Sequence, residues 1–510
     1  MKRPLNVLFL ASEAAPFAKT GGLADVATSL PGSLKRLGVD VRVVLPYYQA
    51  VRNGGFDATP AIRDLKVPFN GATISSEALS TETEEDVAVY FIVQDDFYDR
   101  PGLYGNSSGD YGDNFERFCF YCQAALRLAQ ALPFHADIIH CNDWQTGLAP
   151  VFLKGPSSYT MFLGTSPTIF TIHNLGYQGL FPPHKLAFAG LSPEEFYHPQ
   201  GLEFWGNASL LKAGIVYSDI ITTVSPTYAR DIQTAQYGMG MEGVLHDRRD
   251  VLWGILNGVD YRVWNPDSDD YIAGSRSPGP PIRKSGQKKY LMEEMDIDRS
   301  LATRPLLGMV SRLDAQKGFD LLMAAADNIL GLNVSLVILG SGDRKIEDQI
   351  RRMAAHHAGR VGVRIGFDEA LAHRIMAGAD ILLGPSRYEP CGLTHMYALK
   401  YGTVPVVRAT GGFEDTIQAF DPSTGQGNGF KFVPYDPGAF LEAIRQAVVI
   451  FDDLGSWQRL VENGLRSDFS WDQSARQYLD LYISAVKRQN TKGYETNFEN
   501  SPGRRAENMS

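Results

Sequence analysis

Cysteine is scarce. Cys119, Cys122, Cys141 and Cys391 are the only four in 510 residues, too few and too scattered for a disulfide framework. Cys119 and Cys122 have CxxC spacing, but they lie in FERFCFYCQAALRL. That is an apolar helical pattern with no second Cys or His pair beside it, so they read as buried thiols and not as a metal or redox centre. The 10 His never adopt HExxH or a related ligand spacing, so no protein-held metal is expected. Long hydrophobic runs are missing too. MKRPLNVLFLASE offers only a short apolar run before Ser12 and Glu13, less than a signal peptide needs, and no window approaches the ~18 apolar residues of a membrane span. Positive charge is also in deficit: 48 Lys and Arg against 58 Asp and Glu give −10, a poor match for nucleic acid or an anionic membrane. These absences imply a cytoplasmic protein with neither nucleic acid nor membrane as partner.

What is present is ordinary globular usage, 44% hydrophobic and 21% charged, which excludes a disordered or fibrous chain. Gly, at 50 residues, is above average and points to many tight loops. Short apolar runs alternate with helical patterns. The strand candidates are Asn6–Ala11, Asp40–Pro46, Val87–Val93, Asp137–Cys141, Thr168–His173 and Asp219–Ser225, then Leu306–Ser311, Ser335–Leu339, Gly362–Gly366, Asp380–Leu383 and Val404–Arg408. Continuous apolar runs of this kind suit parallel strands covered on both faces. Alternation with helices gives βαβ units. Asn265–Gln287, rich in Pro, Gly, Ser and Asp, reads as a long loop at a domain junction. The α/β reading is therefore two Rossmann-like, doubly wound domains facing across a deep cleft. The domains are 1–260 and 261–486, with final helices free to cross back, and a polar tail, 487–510, is expected to be disordered. No repeat of solenoid period occurs.

Ligands of such sheets bind beyond the carboxyl ends of the strands, so the loops there are expected to carry the chemistry. The first strand leads into Ser12-Glu13 and then Lys19-Thr20-Gly21-Gly22-Leu23-Ala24-Asp25. Two glycines ahead of a helix let N–H groups approach an anion, and Lys19 adds a countercharge. In the second half, Arg312 and Lys317 flank the loop after Leu306–Ser311, a suitable clamp for a diphosphate. Gly340-Ser341-Gly342 lacks the third glycine of a dinucleotide fingerprint, which disfavours a dehydrogenase, and no Walker A sequence exists. Ser386–Thr394 (SRYEPCGLT) puts Glu389 before Pro390, taken as the start of a helix, with the N–H groups of Gly392 to Thr394 free for phosphate. Thr410-Gly411-Gly412 is read as leaving room for a ligand. His140–Trp144 and Ile172–Asn174 are two polar clusters at neighbouring strand ends.

These blocks resemble the bacterial glycogen synthases and the similar plant starch synthases, retaining glycosyltransferases with two Rossmann-like domains. The resemblance runs from about Asn6 to Tyr482. It is carried by KTGGLADV (Lys19–Val26), HCNDW (His140–Trp144), HNLGYQG (His173–Gly179), YGMGMEGVL (Tyr237–Leu245), NGVDYRVWNP (Asn257–Pro266), SRLDAQKG and SRYEPCGLT. It implies transfer of glucose from ADP-glucose to the non-reducing end of an α-1,4-glucan, glycogen or a malto-oligosaccharide, with retention and without a cofactor. Carried over, Glu389 is the essential carboxylate at the transferred glucose, and Arg312 and Lys317 hold the diphosphate with amides near Gly22, Leu393 and Thr394. Lys19 serves the sugar nucleotide, Asp25 the ribose, and His173 and Asn174 the sugar, while Asp143 lies in the cleft. Tyr98 of FYDRPG is an acceptor contact, and Asn257, Gly340, Phe367, Cys391 and Gly392 join the binding set, Cys391 not as a nucleophile. Gln145, Phe367 and Gly176 stand where the family often has His, Tyr and Ala. Two mechanisms stay open: same-face attack with the departing phosphate taking the proton, and a covalent glucosyl–Glu389 intermediate. So do a UDP-glucose donor, a catalytically silent polysaccharide-binding protein and a pyridoxal-dependent phosphorylase.

Overall fold

The computed structural model describes residues 3–106, 109–154, 163–272 and 284–499, with 490–499 described by backbone alone. The chain divides into two compact units. The first comprises Met1–Val224, Ile232–Ile255 and Trp471–Ser510, and the second Ser225–Asp231 and Leu256–Ser470.

The first unit is built on a nine-stranded sheet. Its strands are β1 (Asn6–Leu10), β2 (Asp40–Pro46), β3 (Thr59–Phe69), β4 (Ala72–Glu82), β5 (Ala88–Val93), β6 (Ile138–Asn142), β7 (Thr168–Ile172), β8 (Ile220–Thr223) and β9 (Leu252–Gly254). They lie in the order β9-β8-β7-β6-β1-β2-β5-β4-β3, all in one direction except β4, which pairs antiparallel with both β5 and β3. Val7 to Leu10 are wholly buried, as a parallel strand covered by helices on both faces must be. Truncating Phe9 to Ala would cost about 3–5 kcal/mol by leaving a cavity there. Strand order reverses between β1 and β6, the switch point where ligands of such sheets bind.

The second unit repeats the plan with six parallel strands, β10 (Leu306–Val310), β11 (Ser335–Gly340), β12 (Val361–Ile365), β13 (Ile381–Gly384), β14 (Val404–Arg408) and β15 (Phe430–Phe432). They are ordered β12-β11-β10-β13-β14-β15, with the switch point between β10 and β13. Its core gathers Leu307, Met309, Leu336, Ile338, Ile381 and Leu383 under helix residues such as Leu322, Ile329 and Phe440.

All eleven expected strands are present, shifted by a residue or so at their ends. Three expectations change. Helix α1 (Gly22–Arg36) starts at the double glycine as read, but the helix after β13, α2 (Leu393–Lys400), begins three residues beyond Pro390. Gly392 (φ +85°) supplies the left-handed N-cap, a conformation that favours glycine. The junction loop ends early: Lys284–Glu294 is helical because it buries Gln287, Lys288, Leu291 and Met292, while residues 273–283 lie outside the described residues. Finally, helix α3 (Trp471–Glu499) runs past residue 487, where disorder was expected. Its first turns are anchored by buried Trp471, Tyr478, Tyr482 and Ala485, and once nucleated a helix gains one bond per residue added. The rest of the expected tail, 500–510, lies outside the described residues. Among the described residues no helix is long and apolar enough to cross a membrane.

Candidate active-site residues

In the first unit, β1 delivers Glu13 as a buried carboxylate. It accepts hydrogen bonds from the N–H groups of Thr20 (2.6 Å) and Gly21 (3.1 Å), the Thr20 hydroxyl (2.7 Å) and the Tyr104 hydroxyl (2.6 Å). The loop before α1 is thereby drawn back onto the strand end, so that the first N–H groups of α1 and Lys19 stand in fixed places. Lys19 Nζ lies 2.8 Å from Asp25 Oδ1. Glu13 belongs to none of the motif blocks; an acid just after a buried strand is the one local signal for it.

β6 and β7 deliver a second group. Asn142 Nδ2 donates to the Leu10 carbonyl (2.9 Å), which turns Oδ1 toward His173 Nε2 (2.9 Å). His173 is therefore the Nε2–H tautomer, with Nδ1 left to accept. Burial pulls its pKa down, so the ring is neutral at physiological pH. The His173 N–H donates to Asp143 Oδ1 (2.7 Å). Burial pushes the Asp143 carboxyl up to about 7, against the opposing N–H groups of His173 and Asn174. Asp143 also has φ +56° and ψ −179°, a region held almost only by glycine that costs about 1–3 kcal/mol and clusters at functional sites. Asn174 Oδ1 accepts from the Gly176 N–H (3.0 Å).

One first-unit expectation is corrected. Tyr98 is completely buried, and its hydroxyl donates to the Arg117 carbonyl (2.9 Å), so no face of it meets a ligand. Arg117, itself buried against Tyr98, Tyr111 and Phe118, requires that packing. His140 is structural. Its Nδ1 meets the Tyr482 hydroxyl (2.7 Å) and its Nε2 the Thr171 hydroxyl (2.6 Å), which ties α3 to the sheet.

In the second unit the loops after β10 and β13 are stitched together. The Arg387 N–H donates to the Gln316 carbonyl (2.8 Å), and Gln316 Nε2 to the Tyr388 carbonyl (3.2 Å). This brings Lys317 Nζ to 2.7 Å from Glu389 Oε2, which also accepts from the Ser386 hydroxyl (3.0 Å). Burial alone would raise the Glu389 pKa; the Lys317 charge and hydrogen bond, the nearby His395 and Ser386 outweigh it and hold the carboxyl below its ordinary value. Arg312 is more exposed, 3.3 Å from Asp314 Oδ2 and from Gln316 Oε1. His395 was not foreseen. It is buried on α2 beside Glu389, with neither ring nitrogen hydrogen-bonded, and burial pulls it down to about 4.

Leu393 and Thr394 open α2 behind the Gly392 cap, with first-turn N–H groups of the kind that bind anions. Burial pushes the Cys391 thiol up, keeping it protonated. Asn257 is buried with Oδ1 unpartnered. Phe367, 74% exposed, follows the end of β12. Gly340 has a packing reason: a Cβ there would come within 2.0 Å of the Ser311 carbonyl oxygen. The room expected at Thr410-Gly411-Gly412 is filled. Gly411 (φ +47°) leaves space for the Glu389 carbonyl, which a Cβ would meet at 1.9 Å, and the Gly412 N–H donates to that carbonyl (2.9 Å).

Two surface pockets, of about 470 and 460 Å³, lie away from all these loops. One is lined by Lys154, Asp219 and Arg248 at the amino ends of β8 and β9, the other by Tyr271, Tyr290 and Arg374. Among the described residues, Asp327, His356 and His357 form a grouping of metal-ligand type, partly exposed and remote in the fold from the strand ends, with His357 Nε2 2.9 Å from Asp327 Oδ1.

Residues 6–247 match the family described as starch synthase catalytic domain, and residues 293–454 match glycosyl transferases group 1. A glycogen synthase of Syntrophotalea carbinolica is 46% identical over 95% of this chain and 99% of its own, and one of Geobacillus thermodenitrificans is 41% identical over the same shares. The catalytic domain of starch synthase IV from Arabidopsis thaliana, solved with ADP and acarbose, superposes with a TM-score of 0.85 at 32% identity, covering 95% of this chain and 100% of that one. A sucrose-phosphate synthase of Thermosynechococcus elongatus shares the fold at 17% identity, with a TM-score of 0.58 over 95% of this chain and 100% of its own.

Proposed function

Since the chain belongs to the glycogen and starch synthase family of glucosyltransferases, we propose that it takes glucose from ADP-glucose and adds it, with retention, to the non-reducing end of a glycogen chain. The observation that carries this reading is the ion pair between Lys317 and Glu389 at the switch point of the second sheet. Breaking a sugar–diphosphate bond builds negative charge on the leaving phosphate and positive charge on the sugar ring. Lys317, Arg312 and the α2 amides of Leu393 and Thr394 are suited to the first, and the ionised Glu389 to the second.

In the proposed reaction, the O4 hydroxyl of the acceptor attacks C1 on the face from which the diphosphate departs. The C1–O bond to the phosphate breaks, and the hydroxyl proton passes to a phosphate oxygen, so that ADP leaves protonated. Glu389, already partnered by Lys317 and Ser386, stays ionised and stabilises the ring charge. A covalent glucosyl–Glu389 intermediate is the rival route, and a glucosylated Glu389 peptide would establish it. Lys19 and Asp25 serve the nucleotide, and Phe367 offers its exposed ring to adenine. His173, Asn174 and the strained Asp143 hold sugar hydroxyls, His173 accepting at Nδ1. Asn257 lends its unpartnered carboxamide oxygen to the same donor. A cytoplasmic location belongs to the proposal and is supported by four buried free thiols.

The test is initial-rate transfer of labelled glucose to glycogen from ADP-glucose and UDP-glucose side by side. Faster transfer from ADP-glucose into α-amylase-sensitive product is expected. Faster transfer from UDP-glucose would overturn the donor assignment.

A further inference from the structure

We infer that Trp205 is a stacking platform for a glucose ring of the acceptor chain; this rests on the glucan reading above and adds a residue to it. Trp205 is 80% exposed. Glu203 and Phe204 pair with Ala208 and Asn207, which leaves Trp205-Gly206 as a two-residue turn with φ of +50° and +82°. Such a hairpin turn needs positive φ at both positions and is best served by Asn-Gly. A bulky residue there is an outlier. The ring therefore sits in water on a strained backbone, and among the described residues its one ring contact is an edge-on approach to Phe204 at 6.4 Å. Neither burial nor turn geometry accounts for it, and strain of this kind argues from structure toward function.

The surroundings suit a sugar. The hairpin lies in the insertion between the His173 strand end and the helix Leu210–Tyr217. Gly240 of the YGMGMEGVL block makes room for the ring: a Cβ there would stand 3.1 Å from Trp205 Nε1. Gln178 of HNLGYQG donates to the Met239 carbonyl (3.1 Å), which ties the two blocks together beside Gly240. Glu203 accepts from the Gly206 N–H (3.0 Å) and Glu242 from the Gly240 N–H (2.9 Å), so a carboxylate stands on each of the two turns next to Trp205. A glucose ring presents an apolar C–H face and a rim of hydroxyls. Its weakly positive C–H bonds match the negative face of an indole.

The experiment compares the full chain with Trp205→Asn and Trp205→Tyr, using migration in glycogen-containing native gels, initial rates with ADP-glucose, and Tm. Trp205→Asn installs the residue the turn prefers, so Tm is expected to hold or rise while glycogen affinity falls about two- to tenfold. The KM for glycogen rises in step, with the KM for ADP-glucose unchanged. Trp205→Tyr keeps a ring and restores most of the affinity. Unchanged retardation of Trp205→Asn would overturn the inference, as would a fall in Tm in both variants alongside equal loss of affinity, because the ring would then be structural. Absence of transfer by the wild type would instead refute the glucan reading itself.

Discussion

Lys317 Nζ lies 2.7 Å from Glu389 Oε2, and the two residues reach each other because the loops after β10 and β13 share hydrogen bonds through Gln316. Burial acts to raise the Glu389 pKa, and Lys317 is the largest influence that lowers it. Lys317→Ala removes that opposition, so the carboxylate protonates at higher pH. The acid limb of the kcat/KM profile is expected to move upward in pH, with an overall loss of about 10²–10³. A limb that stays in place would separate Glu389 ionisation from Lys317.

Asp143 carries the opposite shift. Its folded pKa is raised to about 7, so the folded state binds a proton more tightly than the unfolded one. Stability from this group is complete below the ordinary Asp range and is lost as pH rises through about 7. Asp143→Asn still accepts the His173 N–H and carries no charge to desolvate. Thermal melts are expected to show the variant gaining on the wild type as pH increases from 5 to 8, while activity falls. A difference in Tm independent of pH would contradict the buried-charge account.

The C-terminal helix α3 belongs to the first unit through one buried polar contact as well as its apolar face. Tyr482→Phe leaves His140 Nδ1 inside the protein without its hydroxyl partner, at a cost of about 1–3 kcal/mol. Urea unfolding of the variant measures it. His140 itself is pulled down to about 3 by burial, so the loss is expected to be the same at pH 6 and pH 8.

Gly411 has no space for a side chain because the Glu389 carbonyl occupies it. Gly411→Ala pushes the Glu389 backbone away, and a shift near 1 Å at a reacting group costs about 10² in rate. A kcat loss of that size is expected in protein that still melts cooperatively. Wild-type kcat would show that the Glu389 position tolerates the displacement.

The parallel strands were legible because each is covered on both faces and so reads as an unbroken apolar run. The β3–β4 hairpin was not, since its exposed edge mixes polar and apolar positions. Asn70-Gly71, both at positive φ, was the overlooked turn signal. Arg312, Lys317 and Glu389 stand out in sequence because they lie in the loops that leave apolar strands. Glu13 meets a partner distant in the chain, Tyr104, and no local spacing announces that; His395 lies only six residues beyond Glu389, but nothing in the sequence shows that its ring is buried beside that carboxylate. Tyr98 misled because FYDRPG looks like a surface turn, whereas the ring turns inward under Arg117. The glycines of Thr410-Gly411-Gly412 looked like ligand space and serve backbone packing instead.

The central claim is that the Glu389 carboxylate, held ionised by Lys317, drives glucosyl transfer to glycogen. It is tested most directly by labelled-glucose incorporation from ADP-glucose with wild type and Glu389→Ala in parallel, ADP binding and Tm being followed in both. The account predicts incorporation by the wild type and a loss of at least about 10² in the variant, with ADP still bound. Incorporation by Glu389→Ala at the wild-type rate would contradict it.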